Sequence, residues 1–301
     1  MAKKHSLLKT IGGISIAGVA TYASYKILSE SIFNYVFKKH EIQDDIDEKY
    51  YNWFDASKKS QINVKSYDGL MLNGFLIENH KTNNYVVLVH GIWSNKNFML
   101  PYAYEIDRLG YNILLIDQRA SGESEGEYYT YGLKESFDLV NWSNYLVQYN
   151  PKINICLFGV SMGAASCMMA TQNSLPSNVK CVIEDCGYSS LEDELSSYLK
   201  NKYNVSNPGI VLKLFEVIMF EKFGFKFKDI SAKRCLNTNV LPILFIHGKK
   251  DKLVPFEMVK ELYNANVGDK KIFMVDEADH SQCFYDKEYF SVIKKFLKNY
   301  L

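Results

Sequence analysis

The pentapeptide Gly159-Val160-Ser161-Met162-Gly163 constrains this chain more than any other stretch. An apolar, β-rich run at 153–158 leads into it, and a run of small residues at 164–169 leads out. Strand, sharp turn and helix are the setting in which a G-x-S-x-G turn exposes a serine hydroxyl. The serine takes a strained backbone, and only glycines leave room for its neighbours. The pentapeptide alone is a common pattern, so its surroundings carry the weight.

Those surroundings repeat the same rhythm. Residues 62–67 and 70–77 flank Asp68-Gly69, a two-residue hairpin signal. Apolar strands follow at 85–89, 112–116, 153–158, 179–184, 242–246 and 271–275, and helical patterns lie between them at 99–109, 133–149, 162–173, 256–265 and 285–300. The strand runs are continuously apolar rather than alternating, which marks strands covered on both faces and hence a parallel sheet. The pattern predicts one α/β domain over 61–301, fed by the antiparallel hairpin. Only 187–241 breaks it, with no strand signal but two helical patterns, 191–203 and 208–223. An insertion there lies across the carboxyl edge of the sheet, where open α/β sheets bind ligands, so residues 188–240 read as a small cap.

The first 29 residues are a separate problem. Lys3, Lys4 and Lys9 precede an uncharged run that ends at Tyr25. That is short for a spanning helix, which wants roughly 20 apolar residues, but Lys26 can snorkel and Ile27-Leu28 extend the span. Residues 1–29 are read as a signal anchor or a signal peptide, with a plain helix as the third possibility. The positive flank favours a membrane-anchored protein with its body outside the cytoplasm. Residues 30–60 read as a polar connector. A formal net charge of +1, with no basic run interleaved with aromatics, gives no reason to expect nucleic acid. The six cysteines show no metal-ligand spacing; free buried thiols are expected, and neither a metal nor a cofactor.

A serine hydroxyl is a poor nucleophile at neutral pH. It needs a base within hydrogen-bond reach, itself oriented by an acid. Of six histidines, His5 and His40 lie before the domain and His80 in a polar loop, while His90 and His247 each end a strand before a glycine and read as loop-shaping. His280 remains, after the last strand and before the last helix. The acid belongs after the penultimate strand, where Asp251 is available; Asp276, Asp279 and Asp185 rank behind it. A carboxylate at Asp279 would raise the pKa of His280. An acyl-transfer site also needs donors for a developing oxyanion, each worth about 3 kcal/mol of barrier. The backbone N–H groups of Met162 and Ile92 are the candidates, and Trp93 is a candidate wall of the pocket.

Taken together, Leu88-Val89-His90-Gly91, the loop 117–126 beginning Asp117-Gln118-Arg119-Ala120, the Ser161 pentapeptide, His247-Gly248-Lys249-Lys250-Asp251 and Ala278-Asp279-His280 resemble the α/β-hydrolase superfamily. The likeness is closest to its serine aminopeptidase-like and prolyl-oligopeptidase-like members, some of which carry an N-terminal membrane segment. It covers residues 61–301. It implies the α/β-hydrolase fold, with a mostly parallel sheet of about eight strands, helices on both faces and a small helical cap. It implies serine hydrolysis through Ser161, Asp251 and His280. Ala120-Ser121 stand where the family usually has Gly-His, in a loop that is normally structural. The expected substrate is a small-molecule ester or a short peptide, and thioester cleavage by a thioesterase stays open because it uses the same machinery. A peptidase would need an acid to hold a peptide amine, and Glu184, Glu192, Asp193 and Glu194 are near the cap. A catalytically idle binding protein at the membrane is the reading from another class.

Overall fold

The computed structural model describes residues 30–31, 33–40 and 45–301. The candidate signal anchor therefore lies outside the described residues. Among these, no helix is long and apolar enough to cross a membrane.

Among the described residues, eight strands form one sheet: β1 (Lys59–Lys65), β2 (Met71–Ile77), β3 (Asn84–Val89), β4 (Asn112–Ile116), β5 (Asn154–Val160), β6 (Val179–Asp185), β7 (Ile243–Gly248) and β8 (Lys270–Val275). Their order is β1-β2-β4-β3-β5-β6-β7-β8. β2 runs antiparallel to β1 and β4, and the remaining pairs are parallel. Besides a helical turn at 33–37, the described residues form α-helices α1 (Glu48–Ala56), α2 (Leu100–Arg108), α3 (Leu133–Tyr149), α4 (Met162–Ala170), α5 (Leu191–Tyr203), α6 (Pro208–Phe223), α7 (Ala232–Leu236), α8 (Phe256–Ala265) and α9 (Tyr289–Tyr300).

Why the strands read as continuous apolar runs is visible along β3. Val87 and Val89 pack into one core with Trp142 of α3 and Met168 of α4, while Val86 and Leu88 pack into a second core with Ala103 of α2 and Ile293 of α9. Successive residues of a strand point to opposite faces, so a strand with helices on both sides favours apolar side chains along its whole length. Cys156 and Cys181 are paired across β5 and β6, and both are free and buried.

The β1–β2 connection departs from the expected two-residue turn. Ser66 N–H donates to Leu70 O at 2.8 Å, Gly69 N–H donates to Ser66 O at 3.1 Å, and Gly69 has φ +98°. This is a three-residue loop whose last member is left-handed, a geometry that Gly69 permits.

Residues 30–60, expected as a polar connector, contribute to the core instead. Phe33 and Phe37 are fully buried and their rings stack 4.5 Å apart. Phe33 also meets Phe223 at the end of α6 at 5.4 Å. Trp53 of α1 donates its indole N–H to Asp107 at 2.9 Å. The polar residues that dominate this stretch hid two phenylalanines spaced to share one helical face. The region expected as a cap forms helices α5 and α6. Leu199, Leu212, Phe215 and Met219 from these helices join the same core as Tyr188 and Leu191.

Candidate active site

Ser161 sits between β5 and α4 with φ 56° and ψ −119°. A non-glycine residue holds such a conformation only where its surroundings enforce it. Here the Ser161 N–H is tied to Asp185 O of β6 at 2.8 Å. The flanking glycines are required by space: a Cβ on Gly163 would stand 2.1 Å from Val89 O, and one on Gly159 2.2 Å from Gly163 O. The strand and helix touch backbone to backbone, and the serine is pushed out at the corner.

His280, on the loop between β8 and α9, turns Nε2 towards Ser161 Oγ at 3.0 Å. Its Nδ1 lies 2.8 Å from Asp251 Oδ2. A carboxylate only accepts, so Nδ1 carries the proton and Nε2 offers its lone pair to the serine hydroxyl. Burial alone would lower the pKa of His280. The hydrogen bond and charge of Asp251, followed by the charges of Glu194 and Asp185, outweigh that and hold it above its ordinary value. Asp251 shows the reverse balance. Burial pushes it up, but its bonds to His247 and His280 hold it at about 2. Its Oδ1 accepts the N–H groups of Leu253 at 2.9 Å and Val254 at 2.8 Å, which fix the carboxylate plane.

The rival acids are engaged elsewhere. Asp279 accepts the backbone N–H groups of Lys252 at 3.0 Å and His280 at 2.8 Å, joining two loops without touching the imidazole. Asp276 pairs with Lys249 at 2.7 Å, and Asp185 accepts the Tyr289 hydroxyl at 2.6 Å. The foremost charges raising His280 are those of Asp251, Glu194 and Asp185.

Two histidines set aside as loop-shaping have more specific contacts. His247 is fully buried, with Nε2 3.0 Å from Val254 O and 3.3 Å from Asp251 Oδ2. Both neighbours accept, so Nε2 bears the hydrogen and Asp251 stands between two imidazoles. A histidine four residues before the acid was the available sequence signal. His90 Nε2 accepts the N–H of Gln118 at 3.1 Å, and its Nδ1 donates to Gly91 O at 2.6 Å. These bonds brace the loop carrying Ile92.

That loop runs against the nucleophile: a Cβ on Gly91 would lie 3.3 Å from Ser161 Cβ. Met162 is the first residue of α4, where backbone N–H groups have no partner within the helix. Trp93 takes φ 61° and stacks on His40 at 4.8 Å. It lines an apolar cavity of about 110 Å³ together with Ile92, Ser161, Tyr188, Glu194 and Leu212. Tyr35 and Val36, from before the sheet, line it too. Sequence reasoning missed these two because nothing local ties residues 35–36 to a distant cap. The 117–126 loop is structural, as expected: Asp117 accepts Lys96 N–H at 2.7 Å and Glu123 N–H at 2.9 Å.

Cys186, Asp251 and His280 bring three ligand-type atoms within 4.8 Å of one another. Asp251 and His280 are bonded to each other, and burial pushes the Cys186 thiol well up, away from the thiolate a metal would require. The arrangement is suited to moving a proton rather than cradling a cation.

Comparison with known proteins agrees with this architecture. Residues 84–229 match a family model described as the alpha/beta hydrolase fold. The uncharacterized protein YqkD of Bacillus subtilis is 24% identical over 249 residues, 82% of this chain and 81% of that one. Among solved structures, the Pyrococcus furiosus esterase Pf2001 superposes with a TM-score of 0.69 at 24% identity, covering 87% of this chain and 98% of its own. The Pyrococcus horikoshii acylaminoacyl peptidase superposes with a TM-score of 0.59 at 17% identity, over 83% of this chain but 42% of its own.

Proposed function

This chain has the α/β-hydrolase fold, and from that premise we propose that it is a serine hydrolase cleaving carboxylic esters through an acyl-enzyme on Ser161. The observation that carries the reading is the continuous relay from Ser161 Oγ to His280 Nε2 at 3.0 Å and from His280 Nδ1 to Asp251 at 2.8 Å. As Ser161 Oγ attacks the ester carbonyl, His280 takes its proton, and the fixed Asp251 carboxylate stabilises the imidazolium. The tetrahedral oxyanion is received by the N–H groups of Ile92 and Met162. Collapse transfers the proton from His280 to the departing alkoxide, and a water then repeats the sequence on the acyl-enzyme.

Ester cleavage is favoured over peptide cleavage because the esterase likeness spans nearly all of that neighbour, 98%, whereas the peptidase likeness spans less than half, 42%. A fluorophosphonate probe is expected to label the wild type and not Ser161→Ala. Failure to label the wild type would remove the proposal. Residues 1–29 are proposed to hold the enzyme at a membrane with its catalytic domain outside the cytoplasm, a reading supported by the lysine-flanked uncharged run ending at Tyr25. Release of the full chain from membranes by carbonate would count against it.

A further inference from the structure

Glu194, in the first turn of α5, lines the same pocket as Ser161. The residue is 8% exposed, and its Oε2 is buried with no hydrogen-bond partner among the described residues. An unpartnered buried carboxyl is costly, so it calls for a reason. Burial pushes this group up to about 8, with His280 drawing it down and Asp251 pushing it up.

Aromatic side chains, Tyr35, Trp93, Tyr131, Tyr188, Tyr198 and Tyr203 among them, share the walls around it with aliphatic ones. Glu194 stands close enough to Tyr131 that its charge, after burial, is the next largest influence raising that hydroxyl. No lysine, arginine or histidine is among the side chains lining this pocket. Ring faces are negative and attract cations, most strongly where water is excluded. A carboxyl set among rings, with His280 beyond Ser161 as the basic group nearby and no lysine or arginine on the wall, is complementary to a positive charge. A neutral acyl chain would leave the Glu194 carboxyl unmatched.

We propose that the pocket receives a cationic nitrogen of the substrate, an ammonium or trialkylammonium group, with Glu194 as counter-ion and the aromatic side chains as its cage. This names a substrate class for the hydrolase reading and rests on that reading for turnover, but not for binding. A cation beside Glu194 stabilises its ionised form, so the group that is largely protonated on its own becomes a carboxylate in the complex.

The test uses full-length Ser161→Ala protein, titrated by calorimetry with choline and with its neutral isostere 3,3-dimethylbutan-1-ol. Choline is expected to bind at least about tenfold more tightly. Glu194→Gln in that background is expected to remove the preference and Glu194→Asp to retain it. Equal binding of the two alcohols, no binding of choline, or a preference untouched by Glu194→Gln overturns the proposal. In the wild type, the ratio of kcat/KM for a choline ester to that for the 3,3-dimethylbutyl ester of the same acid is expected to follow the same pattern. Reading a ratio cancels any general loss of activity in a variant. If no ester is turned over and no probe labels Ser161, the hydrolase reading fails, and the binding ratio still decides the pocket.

Discussion

At the scale of single residues, the assignment turns on which carboxylate touches the imidazole. Asp251→Asn should leave the fold intact yet reverse the hydrogen-bond demand on Nδ1, lowering kcat by about 10⁴-fold. Asp279→Asn keeps an acceptor for the backbone N–H groups of Lys252 and His280 and should change kcat little. Steady-state kinetics on a nitrophenyl ester separates the two, and the larger loss from Asp279 would refute the relay. The pH dependence has a definite sign. Acidic neighbours stabilise the imidazolium and raise the pKa of His280. The base is active only unprotonated, so kcat/KM should fall as pH drops through a value above the ordinary imidazole figure of about 6.5. Asp251 contributes most of this, so the residual activity of Asp251→Asn should show that limb at lower pH. Ser161, Asp251 and His280 were legible because fold order restricts where each can stand. The contact of His247 with Asp251 was not, since a histidine ending a strand looks the same whether it faces a loop or an acid.

At the scale of elements, the strands were legible because burial on both faces forces unbroken apolar runs, and α3, α5, α6 and α8 match the helical spacing of their sequences. The hairpin turn is one residue longer than Asp-Gly alone suggests, because that pair signals a turn without fixing how many residues close it. Two glycines illustrate how differently one residue type can be constrained. Gly69 has φ +98° and open space around it, so Gly69→Ala should cost only about 1–2 kcal/mol of backbone strain. Gly163→Ala would drive a methyl group into Val89 O and separate α4 from β3. Its expected cost is more than about 3 kcal/mol. Thermal melts of the two variants provide the check, and equal melting temperatures would contradict the close-packed elbow.

At the scale of the whole molecule, the boundary drawn from sequence at residue 61 was too late. Composition averages a segment, whereas packing selects a few positions, and Phe33 and Phe37 are such positions. Phe33→Ala or Phe37→Ala should destabilise the entire domain by about 3–5 kcal/mol, as a large ring lost from a core does. Denaturant titration would show this as an earlier midpoint, and an unchanged midpoint would mean the two rings are ornamental. The sequence pattern matches helices α5 and α6 but not which earlier residues they clasp, because that depends on contacts between distant segments, such as Phe33 with Phe223.

Within residues 33–37 two duties alternate around one helical turn: Phe33 and Phe37 are sunk in the interior, and Tyr35 and Val36 border the chamber beside Ser161. Anchorage and selectivity are thereby written into interleaved letters of the same short word. Changing Tyr35 or Val36 would reshape that chamber while the moorings hold, so variation in its walls can begin upstream of every strand.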